Sequence, residues 1–209
     1  MSQSGSKRNW TDLTVGGLAA IIVFVSLTWA LQLPSRIFNL ALHGPQFISV
    51  VLAAASAIVY LTCPAFASKR AVQSDSAVRL SPTPTLLDVA LALFSFTIFL
   101  YVSVRYESLL FDIPYRTNEL LFISVSAIVL LLEALRRSAG LPLFLIVLCF
   151  LVYAAVGHLF GGSLSTREVP LERLVIYLAL DLSALFGSPV QIGMSVVVLY
   201  ILLGQILLT

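Results

Sequence analysis

The stretch LLLEALRRSAG, residues 130–140, decides how this chain is read. Leucines of membrane grade run into Glu133, and one turn later come Arg136, Arg137 and then Gly140. A carboxylate so close to an apolar run is either an anchor at a membrane edge or a working acid. Upstream, only Leu120–Leu132 is free of charge, 13 residues, or roughly 20 Å of helix at 1.5 Å per residue. That is shorter than a bilayer core, so Glu133 belongs near a headgroup boundary. There Arg136 and Arg137 stand at i+3 and i+4, on its own helix face. They also suit the negative end of the helix dipole. The residues favour an anchor and leave a partner-subunit or lipid contact open. A proton carrier fits poorly, because such groups lie deeper and face a cavity.

Composition sets the class. Of 209 residues, 59% are hydrophobic and 11% charged, against about 25% charged in a soluble domain. The net charge of +2 supports no nucleic-acid surface, which needs a basic patch interleaved with aromatics. Cys63 and Cys149 lie far apart in apolar runs, which predicts buried, inert thiols. The polar start, Met1–Asp12 with Lys7 and Arg8, precedes an uncharged run too long for a signal-peptide core. A retained first span is expected.

Runs of roughly 20 apolar residues mark spanning helices. They fall at about Thr14–Leu33, ended by Pro34, and Phe47–Cys63, after a break at Gly44-Pro45. Others are Leu86–Val104, Asn118–Leu135, Leu141–Phe160 (closing on Gly161-Gly162) and Pro189–Leu208. ASKRAVQSDSAVRLSPTPT, 67–85, is a Ser/Pro-rich linker. With the N-terminus inside, the inner segments hold Lys7, Arg8, Lys69, Arg70, Arg79, Arg136 and Arg137, seven of the 12 basic residues. Arg36, Arg105, Arg116, Arg167 and Arg173 fall outside, and every tight basic pair is inside, as the positive-inside tendency requires. The fold class expected is an all-α integral membrane protein of about six transmembrane helices plus one amphipathic interfacial helix.

Polar residues within the spans read as structural. Asp88 sits in the first turn of the third span, where an acid caps a helix. Ser95, Thr97, Ser124 and Ser126 can bond their own or a neighbouring helix. His43 and His158 lack a second ligand at metal spacing. No catalytic motif and no midplane polar constellation is visible, so neither an enzyme nor a cofactor or metal is expected. Trp10, Trp29, Tyr101, Tyr106 and Tyr115 are placed to sit at the interfaces.

VPLERLVIYLALDLSALFGSPVQIG, 169–193, is the amphipathic candidate. Pro170 starts it, and Leu171, Leu174, Val175, Leu178, Leu182 and Leu185 share one face suited to the outer membrane surface. Ile176 and Leu180 lie opposite, beside Arg173, Tyr177 and Asp181, so the helix wants a second partner besides lipid. Gly187-Ser188-Pro189 then turns the chain into the last span.

Three patterns together resemble a known family: L-E-A-x-R-R-x-x-G at 132–140, L-E-R-L-V at 171–175 and F-G-x-P at 186–189. They resemble the N-terminal part of fused permeases of tripartite ATP-independent periplasmic (TRAP) transporters, in the branch served by TAXI-type binding proteins. The likeness runs from about Thr85 to Leu208, and DLSALFG lacks the Gly that commonly precedes the family's IFG. The resemblance implies a cytoplasmic N-terminal tail (1–12), a four-helix small-subunit-like domain (13–137) and a joining helix (138–162). Residues 163–209 would be a periplasmic arm and the first helix of the large part. It also implies a large TRAP permease partner, a periplasmic TAXI-type solute-binding protein and a bacterial or archaeal inner-membrane location. The family's substrate and ion sites fall beyond Thr209, so none is carried over. Glu133, Arg136 and Arg137 are candidates for partner or lipid contact, and Leu174, Tyr177 and Asp181 for the arm interface. A stand-alone membrane adaptor and a small homo-oligomeric porter are the alternatives.

Overall fold

Backbone amides buried in lipid must be bonded within their own segment, so long apolar runs fold as helices. The computed structural model describes residues 3–33, 43–63, 85–115, 117–159 and 168–208, with side chains from Trp10 onward. Most of the linker, together with Pro34, Arg36, Arg116, Gly161-Gly162 and Arg167, lies outside the described residues. Among the described residues there is no strand. The helices are α1 (Gln3–Ala30), α2 (Gly44–Thr62), α3 (Leu86–Asp112), α4 (Asn118–Ser138), α5 (Leu141–Val156) and α6 (Leu171–Leu180). The last, α7 (Ser188–Leu208), contains one π-helical turn at Gly193–Val197. All but α6 belong to segments long and apolar enough to cross a membrane.

Helix ends depart from the apolar runs in instructive ways. α1 begins at Gln3, so positions 3–12 are part of the same helix as the first apolar run. It stops at Ala30, where Gln32 turns left-handed with φ 51°. Gly44-Pro45 opens α2 instead of breaking the chain, with Pro in the first turn and the Gln46 side chain accepting from His43 N–H at 3.0 Å. α3 runs past Val104 to Asp112 and closes in a 3₁₀ turn, Ile113–Tyr115. Arg105, Glu107 and Asp112 end the apolar run but not the helix, because charge marks where lipid ends and not where hydrogen bonding does.

The core lies where α2 and α3 meet, the most extensive helix contact in the chain. Ala53, Ala54 and Ala57 on α2 and Ala92 on α3 are buried. Small residues let helix backbones approach closely in lipid. Ser56 and Ser95 share a hydrogen bond at 2.7 Å across this seam, while Thr97 donates to Leu93 O at 2.8 Å within its own helix. Ser124 is buried with no partner for its hydroxyl among the described residues. In its most apolar 18-residue window, 44% of α2 is buried and 33% of α3 and α4, against 6% of α1, α5 and α7. Three helices form a packed block, and three lie against it with most of their surface bare. Cys149 is accordingly exposed on α5 and Cys63 half-buried, not core thiols as the apolar runs suggested.

α6 packs across α4 through Ile176, Ala179 and Leu180, all buried. This is the second partner its two apolar sides called for, and it lies within the chain. The opposite stripe is less covered, with Leu171 exposed and Leu174 half-buried. The helix ends at Leu180, so Leu182 and Leu185 fall in the following turns and not on the expected face. Those turns bury Phe186 against the edge of Tyr106, ring centroids 5.8 Å apart. Tyr106 is therefore a core residue and not an interfacial one. The F-G-x-P segment has a steric reason: a Cβ on Gly187 would stand 2.9 Å from Ala184 O, and Pro189 then starts α7.

Gly187→Ala is expected to lower stability by about 1–3 kcal/mol, because a backbone oxygen must move. In Gly204→Ala the new methyl meets nothing within 4 Å. This variant should hold or gain up to about 1 kcal/mol, since alanine is the better helix former. Unfolding of the two variants in SDS–detergent mixtures checks the contrast.

Candidate functional site

One end of the packed block carries a charge cluster drawn from three helices. Arg136 and Arg137 occupy the last turn of α4, Asp88 the first turn of α3, and Cys63 caps α2. α3 and α4 are consecutive and antiparallel, so the start of one lies beside the end of the other. Glu133 accepts from both arginines: Arg136 Nη2 at 2.7 Å and Nε at 2.8 Å, and Arg137 Nε at 2.8 Å. The three candidates from the opening stretch thus form one local unit.

The sequence reading missed the partner that makes this unit tertiary. Arg137 Nη1 donates to Asp88 Oδ1 at 2.6 Å, with side-chain exposures of 4% and 0%. The same nitrogen donates to Cys63 O at 3.4 Å, a carbonyl at a helix end with no intrahelical donor. The guanidinium stands over the Tyr60 ring, 4.9 Å from its centroid, in cation–π geometry. Tyr60 Oη in turn donates to Leu130 O on α4 at 2.6 Å. Arg137 therefore touches α2 and α3 while rooted in α4. Asp88 also does the capping work expected of it. Its Oδ2 accepts from Thr85 N at 3.0 Å and Thr85 Oγ1 at 2.7 Å, so both carboxylate oxygens are occupied.

The cluster balances: two acids and two arginines, with no net charge. A lone ion at this depth would be costly, whereas paired and fully bonded ions are tolerated. Arg136 differs from Arg137 in one respect that matters for function. Its side chain is 39% exposed, so it presents cationic surface outward while Arg137 is sealed in.

The arm candidates sit at the far end. Tyr177 and Asp181 line a cavity of about 400 Å³ with Arg173, Ile176, Ile113 and Pro114. Asp181 caps the end of α6 in extended conformation and accepts from Ser183 N–H at 2.8 Å. Leu174 does not reach the packed core; Ile176, Ala179 and Leu180 do. Also at this end, Tyr101 donates to Glu119, and His43 lies 3.3 Å from Glu107, both exposed. Among the described residues no three His, Cys, Asp or Glu side chains gather as a metal site would require.

Arg137→Met should cost about 3–5 kcal/mol, because it removes the guanidinium that neutralises the buried Asp88 carboxylate. Arg136→Met removes a partly exposed pair and should cost less than about 1 kcal/mol. Equal losses in the two variants, measured as unfolding free energy in SDS–detergent mixtures, would contradict the division between a sealed and an exposed arginine.

Comparison with family models, with curated proteins and with solved structures finds no match for this chain.

Proposed function

We propose that this chain is the scaffold membrane component of a TRAP-type secondary transporter for organic acids, working with a large permease part and a periplasmic TAXI-type binding protein. The observation that carries the reading is an asymmetry of packing. α2, α3 and α4 form a block tied at one end by a buried ion pair, while α5 and α7 lie beside it nearly bare. Close-packed interiors transmit load and resist deformation, which suits a static counterpart to a moving transport part. α5 and α7 then supply the surfaces toward that moving part and toward lipid. The likeness of residues 132–140, 171–175 and 186–189 to fused TRAP permeases supports the same assignment.

In this reading the charge cluster lies on the cytoplasmic side of a bacterial or archaeal inner membrane. Arg136 then faces the anionic leaflet, and the N-terminus, with Lys7 and Arg8 in its sequence, lies inside. Arg136, the exposed member, is the contact to lipid phosphate or to an acid of the partner. The arm α6 lies on the periplasmic side, with its Leu171–Leu174 stripe toward lipid. Exposed Trp10 and Tyr115, near the two ends, hold the depth of the block.

Mild-detergent purification from native membranes, with intact-mass spectrometry of what comes along, tests the assignment. Recovery of a many-helix permease, or of this sequence inside a longer chain, is the expected result. Recovery of the 209-residue chain by itself, as a stable homo-oligomer, would instead favour an independent porter or adaptor.

A further inference from the structure

α1 meets the block near its C-terminus and again through Leu18. Near its C-terminus Ser26 is fully buried, Trp29 meets Phe47 with ring centroids 5.1 Å apart, and the Trp29 ring comes within 3.2 Å of where a Gly44 Cβ would stand. Toward its N-terminus an opening flanks the Leu18 contact. The opening is a groove of about 550 Å³, lined by Trp10, Gly17 and Ile21 of α1, Leu61 of α2, and Ala92 and Phe96 of α3. Its walls are almost wholly apolar. Its volume is that of an ordinary ligand pocket, about 300–1,000 Å³.

Length and shape identify what fills it. From Trp10 to Ile21 the groove follows α1 for about 16 Å at 1.5 Å per residue, close to half of a ~30 Å hydrocarbon core. It therefore spans one leaflet and closes near the midplane. A partner helix is about 10 Å wide and cannot follow a groove that shuts where Ser26 and Trp29 pack. A polar ligand would find almost no partner along these walls. One hydrocarbon chain meets both constraints. Gly17 keeps the groove deep, and a Cβ there would meet nothing within 4 Å, so no neighbouring helix requires the glycine.

The mouth carries the matching headgroup chemistry. Trp10 is 66% exposed there, as an indole at headgroup level is. Positions 7 and 8 of α1, one turn earlier, are Lys and Arg, against a single acid, Asp12, just beyond. We infer that this groove is a binding site for one acyl chain of an anionic phospholipid, whose headgroup lies at the basic start of α1. The leaflet is the cytoplasmic one, and that clause alone rests on the orientation proposed above.

The chain has two tryptophans, so Trp29→Phe leaves Trp10 as the sole fluorophore. The full chain is reconstituted in phosphatidylcholine vesicles containing phosphatidylglycerol brominated in the upper part of its acyl chains, which quenches nearby indole. Quenching is expected to saturate at low mole fraction, whereas brominated phosphatidylcholine should quench only in proportion to its amount. Adding Gly17→Leu, which fills the groove, should abolish the saturating component. Gly16→Leu, on the same helix but outside the lining, should retain it. Proportional quenching by both lipids would overturn the site, as would saturation that survives Gly17→Leu. The lipid comparison on the Trp29→Phe chain stands even if Gly17→Leu does not fold. Both leaflets carry the brominated lipid, so a reversed orientation leaves this result unchanged. It would show instead as an N-terminus cut by protease added on the periplasmic side, overturning only the leaflet assignment.

Discussion

The structure depends on what is done with the charge of Arg137. A guanidinium sealed at the end of a helix long and apolar enough to cross a membrane is tolerable only if every nearby group answers it. Here Asp88 neutralises it, Glu133 shares it, Cys63 O accepts from it and the Tyr60 ring covers it. These partners come from α2, α3 and α4, so satisfying one ion fixes the relative rotation and depth of three helices. Apolar packing between helices in lipid is only weakly specific, since lipid tails are as apolar as leucine. The ion network supplies the register that leucines cannot.

From that constraint the remaining arrangement follows. With one end tied, the Ala53–Ala57 seam closes along α2 and α3, and Ser56 meets Ser95 within it. The far end is held differently, by α6 lying across α4 and by Phe186 against Tyr106. Both ends of the block are thus fastened, one by charge and one by aromatic and aliphatic burial. α1 packs on the block through Leu18 and Trp29, while α5 and α7 leave most of their surface exposed. Arg136 and the lipid-wide groove beside α1 lie at the charged end, the polar cavity of Arg173 and Asp181 at the other.

Much of this was legible in the residues, and the failures have physical causes. Hydropathy alone located the six helices long and apolar enough to cross a membrane, because a crossing needs about 20 apolar residues whatever the fold. The Glu133–Arg136–Arg137 unit was legible because i+3 and i+4 spacing fixes proximity on any helix. Asp88 as a cap was legible for the same local reason. Its pairing with Arg137 was not, because the two are 49 residues apart and meet only if α3 and α4 rotate correctly. A usable signal existed: antiparallel neighbours place the first turn of α3 beside the last turn of α4. Tyr106 was misplaced because an aromatic near a helix end reads as interfacial until Phe186, from a distant segment, is seen to cover it. The groove was invisible because it is defined by where helices fail to touch.

The claim that Arg137 ties α3 to α4 is tested most directly by a double-mutant cycle. Unfolding free energies of the parent, Asp88→Asn, Arg137→Gln and the double variant would be measured in SDS–detergent mixtures. A coupling of about 1–3 kcal/mol is predicted, the double variant losing less than the sum of the singles. Additivity within about 0.3–0.5 kcal/mol would mean that the two charges do not depend on each other, and the account of a charge-tied block would fail.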